Sequence, residues 1–292
     1  MKKVVITSAK RTPIGAFGGS LTSFTASQLG SLAIKGVLED SKLAPEKVDE
    51  VIMGNVLTAG MGQAPARQAA IFAGLPEKTE CMTINKVCGS GLKAVMLAHQ
   101  AIETGNADII IAGGQESMSN TPYLLDKARN GYRLGHGQIY DSMVKDGLWD
   151  VYNNVHMGNC AESCAKDFSF KREELDEFAI NSYKKALDAQ KSGKFVDEIL
   201  EVKARVGREE VIIKDDEEMY DKAQKMLRIT GIGWITVAII LAYLPEIGTL
   251  NRGEIAALIG TAPFNRDSGN SSGYRAIYGG REKVRTALYM PS

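Results

Sequence analysis

Of the four cysteines, at 81, 88, 160 and 164, one falls where chain pattern places a nucleophile. An apolar run with β character, Cys81 to Val87, arrives at Cys88. Gly89, Ser90 and Gly91 follow, and then the helical spacing Leu92, Val95, Met96, His99. A cysteine at a strand-to-helix turn lies beside a helix N-terminus, where unpaired N–H groups and the helix dipole favour a thiolate. Gly89 and Gly91 let the backbone turn sharply and let a substrate come close. The same spacing also suits a small buried hydrophobe, the usual condition of a free cysteine. Spacing alone leaves both readings open.

The remaining candidates are weaker. Cys160 and Cys164 share one helix face, but no second ligand pair accompanies them, so no metal site is expected. His99 falls mid-helix and reads as a packing residue, His136 precedes a glycine, and His156 reads as a loop histidine.

The elements that must position Cys88 follow from periodicity. Val4 to Thr7 reads as a strand and residues 11–19, RTPIGAFGG, as a glycine-rich loop. Ser23 to Asp40 has the apolar spacing of a helix capped by Thr25 or Ser27. Val48 to Val56 is a strand, Ala64 to Ala73 a helix, and the Cys88 elbow comes next. Asp108 to Ala112, DIIIA, is a continuous apolar strand of the kind buried on both faces. Strands alternating with helices predict a layered α/β domain. Ser117 to Met157 is a long irregular stretch, of a length that is usually functional or disordered. Gly158 to Phe168 and Arg172 to Gln190 are helical, Phe195 to Val202 and Val206 to Ile213 extended, and Lys214 to Lys222 is an acidic run expected to be solvated.

The 292 residues carry 35 basic and 35 acidic side chains, so overall charge points to no partner. The distribution is more telling, since from Lys225 onward there are eight basic residues against four acidic. Four cysteines in so long a chain make no disulfide framework and fit a reducing compartment. The opening apolar run is too short for a signal peptide. The longest apolar stretch, Ile235 to Leu244, is about half a membrane span. These features predict a cytoplasmic chain with no membrane partner.

With the elbow placed, residues 1 to about 204 resemble the N-terminal half of a thiolase, the acetyl-CoA acetyltransferase family. SAKRTPIGAFGG, GNVLTAGMGQAPARQAA, INKVCGSGLKAV, ADIIIAGGQESMSN and HMGNCAESCA match its pattern in order. The resemblance implies a thiolase-type layered α/β fold, with acetyl-CoA and CoA as substrates and no tightly bound cofactor. It makes Cys88 the nucleophile that takes an acyl group from acyl-CoA, and it sets His156 and Met157 beside the CoA pantetheine. It also implies a homo-oligomer. In the family a Claisen condensation follows, using a base and oxyanion donors on a Gly-His-Pro segment, an asparagine segment and a second cysteine. None is present here: His136 is followed by Gly137, and no cysteine comes after Cys164. A thiolase truncated in this way is expected to lack the complete reaction. It is also expected to expose apolar surface and to associate.

Beyond the acidic run the texture changes. Gly231, Ile232 and Gly233 between two helical stretches look like a helix-hairpin-helix, in which backbone N–H groups hold a DNA phosphate. Gly-x-Gly also simply ends helices. The string from Leu227 to Met290 resembles the C-terminal domain of insertion-sequence transposases that pair a RuvC-like acidic domain with a serine-bearing one. The resemblance implies that Ser268 is that serine. Arg266, Arg275, Arg281 and Arg285 would neutralise phosphates, although Asp-Ser-Gly is also ordinary turn sequence. The expected organisation is a thiolase-like domain over 1–204, an acidic linker over 205–224 and a small all-α domain over 225–292 that binds DNA.

Overall fold

The computed structural model of the chain describes residues 3–217. The expected all-α domain lies outside the described residues, with its Gly231–Gly233 hairpin, Ser268 and four arginines. Three strands form a parallel sheet: β1 (Glu50–Gly54) in the centre, β2 (Glu80–Ile84) on one side and β3 (Ile110–Gly114) on the other. Each parallel connection needs a crossover, and a helix supplies it. Helix α2 (Pro65–Phe72) joins β1 to β2, and α3 (Ser90–Glu103) joins β2 to β3.

The alternation of β1 explains the layers. Val51 and Met53 turn to one face and join Ile34 and Leu38 of α1 (Ala26–Ser41) and the alanines Ala66, Ala69 and Ala70 of α2. Ile52 turns to the other face and meets Ala94 and Ala98 of α3. All three β1 side chains are buried, and burial of each stabilises by about 1.5–3 kcal/mol. Small residues let α1 and α2 approach closely, as where Ser27 Oγ donates to Pro65 O at 3.1 Å. Thr25 caps α1 through a capping box with Gln28, taking the role expected of Thr25 or Ser27.

The α3 side is only partly covered. Leu92 is 71% and Met96 50% exposed on its outer face, and His99 is exposed there too rather than packed. Strand β3 is half-buried instead of buried on both faces, because no further strand pairs with its outer edge among the described residues. Val4 to Thr7, expected as a strand, makes no ladder. An apolar cavity of about 480 Å³, lined by Ile6, Val95, Ile109 and Ile111 among others, stands between that segment and β3.

Beyond β3 the chain makes short two-residue pairings, then helices α4 (Met157–Asp167) and α5 (Arg172–Lys191), neither with a buried residue. Phe195 to Val202 is mostly turn rather than strand. The strand pair comes later, as the antiparallel hairpin β4 (Val202–Val206) and β5 (Glu209–Ile213). Val202 and Ala204 pack on Leu21 with Phe24, Leu29 and Leu32. The hairpin therefore runs through the expected boundary at 204/205. Nor is the acidic run after it wholly solvated. Asp216 receives Arg11 Nη1 at 2.6 Å and Nη2 at 2.9 Å, and also the Ile14 N–H at 2.8 Å. Arg11 Nε reaches Glu198 at 2.7 Å. No helix among the described residues is long and apolar enough to cross a membrane.

Two outcomes follow from this packing. A Cβ on Gly54 would lie 2.5 Å from Ser90 Cβ and 2.9 Å from the Gly91 nitrogen. Gly54→Ala should therefore cost about 1–3 kcal/mol in urea unfolding. Burial pushes the Asp216 carboxyl up, but Arg11 and the Ile14 N–H outweigh it and hold it below the usual carboxylate range. A depressed carboxylate stabilises above its unfolded value, and the effect is lost as pH falls through the folded one. Melting temperature measured across the acid range should thus fall less steeply in Asp216→Asn than in the parent.

Candidate active site

The three parallel strands end on one edge of the sheet, the side on which open α/β sheets place their ligands. From β1 the chain passes to Asn55, from β2 to Asn85 and Cys88, and from β3 to Gln115 and Glu116. Helix α3 starts against this edge. Its Gly91 lies 3.7 Å from the Gly114 nitrogen, measured from where a Cβ would stand, and Ser90 abuts Gly54. Glycines at 54, 91 and 114 bring helix and strand backbones together where side chains would hold them apart.

The elbow between β2 and α3 is tied by its own polar groups. Asn85 Oδ1 accepts the Val87 N–H at 2.9 Å. Ser90 Oγ accepts the Lys86 N–H at 2.8 Å and donates to Val87 O at 2.6 Å. The Gly89 N–H reaches Lys86 O at 3.0 Å. Val87 consequently has φ of 47°, in the left-handed region that a β-branched residue normally avoids. Such a backbone costs on the order of 1–3 kcal/mol and persists only where its surroundings determine it. Cys88 follows directly, two residues before the start of α3, and its side chain is exposed. It stands beside a helix N-terminus and is not a buried packing group.

A carboxylate stands under the same edge. Glu116 accepts Asn55 Nδ2 at 2.7 Å, the Val56 N–H at 2.8 Å and the Leu57 N–H at 3.1 Å. Burial pushes its carboxyl up, against the pull of these three donors. The loop they fix is joined to the elbow, since Asn85 Nδ2 donates to Val56 O at 3.4 Å. Asn55 is buried, its N–H bonded to Ile84 O at 3.0 Å and its Oδ1 receiving Gln115 Nε2 at 3.4 Å. The buried Oε1 of Gln115 lacks a partner and faces Gly30, where a Cβ would collide with it.

Of the expected site residues, Cys88 is at this edge. His156 is the N-cap of α4, its Nδ1 accepting the Gly158 N–H at 3.0 Å, and Met157 is the first residue of that helix. No hydrogen bond joins either to the elbow among the described residues. His99 pairs with Glu103 at 3.6 Å on α3, and among the described residues no imidazole is bonded to Cys88. Asn55, Asn85, Val87, Ser90 and Glu116 escaped the sequence reading. A carboxylate two residues past the Gly113-Gly114 strand end was the visible signal for Glu116.

Comparison with known proteins gives these features a family. A model of the thiolase N-terminal domain matches residues 4–229, and one of the transposase IS116/IS110/IS902 family matches residues 223–292. An acetyl-CoA acetyltransferase of Cupriavidus necator is 58% identical over 202 residues, which is 69% of this chain and 51% of that protein. The mitochondrial acetyl-CoA acetyltransferase of Rattus norvegicus is 46% identical over 269 residues, 90% of this chain and 61% of its own length. Acetyl-CoA acetyltransferase 2 of Arabidopsis thaliana is 51% identical over 218 residues, 74% and 54% respectively. The chain thus spans between about half and three-fifths of these relatives. A match over most of its length, carried by the sheet and the Cys88 elbow, places the chain in the thiolase family, with a transposase domain of the IS116/IS110/IS902 kind at its C-terminal end.

Proposed function

We propose that Cys88 accepts an acyl group from acetyl-CoA or a related acyl-CoA, and that the chain performs this half of a thiolase reaction without the condensation that follows. In this step the thiolate attacks the thioester carbonyl. A new C–S bond forms to Cys88, the bond to CoA sulfur breaks, and CoA leaves as a thiol after taking a proton from solvent. One thioester replaces another, so the exchange is nearly balanced and a local site is enough to run it. The observation that carries the reading is the exposed thiol at the strand-to-helix elbow, on the sheet edge, within a family of acetyl-CoA acetyltransferases. Condensation needs a base to remove a proton from a second acetyl-CoA. Residues 1–292 hold no Gly-His-Pro segment and no cysteine after Cys164, and the transposase match takes over from residue 223. His156 and Met157, at the start of α4, are the groups assigned to CoA in this reading. The four free cysteines suit a reducing cytoplasm.

A second activity is supported by the transposase match. In this reading residues 225–292 form a helical, DNA-binding segment, joined through 205–224 to the thiolase-like domain over 1–204. Gly231–Gly233 and Arg266, Arg275, Arg281 and Arg285 meet the phosphates, and Ser268 is the serine of a RuvC-like/serine-type recombinase. A second copy of the chain would associate through the uncovered face of α3, where Leu92 and Met96 are exposed.

Intact mass after incubation with acetyl-CoA should show one acetyl group on the chain and none on Cys88→Ala. Thiolysis of acetoacetyl-CoA should show no turnover. Turnover that vanishes in Cys88→Ala would mean that a base is supplied from elsewhere, and the half-reaction reading would fall. The full chain should also retard duplex DNA at low salt. Arg275→Ala should make the dependence of log affinity on log salt shallower by about one unit. Equal mobility of DNA with and without the chain would remove the DNA reading.

A further inference from the structure

We propose that Glu116 is a positioning residue for Cys88, acting through the loop after β1 and the Asn85 side chain; the proposal rests on Cys88 being the acyl acceptor. The path is continuous. Both oxygens of Glu116 are engaged, Oε2 by the Val56 N–H and Oε1 by the Leu57 N–H and Asn55 Nδ2. Two consecutive backbone N–H groups on one carboxylate fix the course of that loop, and charge-assisted bonds of this kind are about twice as strong as neutral ones. The loop in turn offers Val56 O to Asn85 Nδ2. With its amide nitrogen held there, Asn85 has its Oδ1 aimed at the Val87 N–H, and that bond accompanies the left-handed backbone at Val87. The next residue is Cys88.

Two further observations favour a role in chemistry over one in packing. No lysine or arginine pairs with Glu116 among the described residues, so its carboxylate is not half of a structural ion pair. Its three donors all belong to the loop that meets the elbow. Neutral hydrogen bonding could close such a loop more cheaply than a partly buried carboxylate.

The four cysteines make the test internal to the full chain. Cys160 and Cys164 are exposed on α4 and report general reactivity, while half-buried Cys81 on β2 reports unfolding. Site-resolved alkylation by iodoacetamide is followed by peptide mass over a range of pH, beside acetylation by acetyl-CoA. Glu116→Gln sets an amide NH2 against a backbone N–H. It should slow modification of Cys88 about tenfold near neutral pH. Cys160 and Cys164 should react at parental rates with Cys81 still protected, and Glu116→Asp should restore part of the loss. Parental rates at Cys88 with Cys81 protected would overturn the proposal. Should Cys81 become reactive in the glutamine variant, the aspartate variant decides. Slowed Cys88 with protected Cys81 supports positioning, and unchanged Cys88 overturns it. Alkylation needs no acyl-CoA, so Glu116-dependent alkylation without acetylation in the parent would defeat the acyl-acceptor reading alone. Normal acetylation in both would defeat positioning alone.

Discussion

The structure depends on one close approach, that of the first turn of α3 to the ends of β1 and β3. Ser90 stands against Gly54, and Gly91 against the backbone of Gly113 and Gly114. Since the helix can come no nearer, the five residues between Ile84 and the helix must reverse direction in a short span. That span forces the turn at Lys86–Gly89, with its Ser90 clamp and the left-handed Val87. The exposure of Cys88 is then a result of geometry upstream and downstream of it. Nothing about the thiol itself is needed to put it there.

The layers on the two sides of the sheet are unequal, and the inequality has a chemical side. Against one face lie α1 and α2, drawn close by alanine, glycine and serine, with Val51 and Met53 between them and the strands. Against the other lies α3 alone, anchored by Ala94 and Ala98 on Ile52. Its inner stripe is packed and its outer stripe is not, so the helix that carries the site has apolar contacts on one side only. The bonds at its N-terminus therefore contribute a larger share of what fixes its rotation than they would in a helix packed all round.

Much of this was legible in the sequence because period and punctuation agree there. The β1, β2 and β3 runs, the helices between them and the Cys88 elbow were each placed within a few residues, since Gly, Pro and apolar spacing mark them locally. Val4 to Thr7 misled because its β character is real but a strand needs a neighbour, and the pattern of a segment does not state what lies beside it. DIIIA misled for the same reason, reading as central when it sits at an edge. Asn85 and Glu116 were missed because a single polar residue after a strand is ordinary. Their meaning lies in meeting residues 29 and about 60 positions away. The first helix cap, by contrast, is a contact across three residues, and the sequence narrowed it to Thr25 or Ser27.

The bonds from Arg11 to Glu198 and Asp216 tie the opening segment of the thiolase-like unit to its last described residues. Arg11 and Asp216 thus stand together although 205 positions separate them in the chain. Surface chain ends held close together tolerate appended sequence better than most sites do. An unrelated sequence can follow such a unit without first disturbing the Cys88 edge.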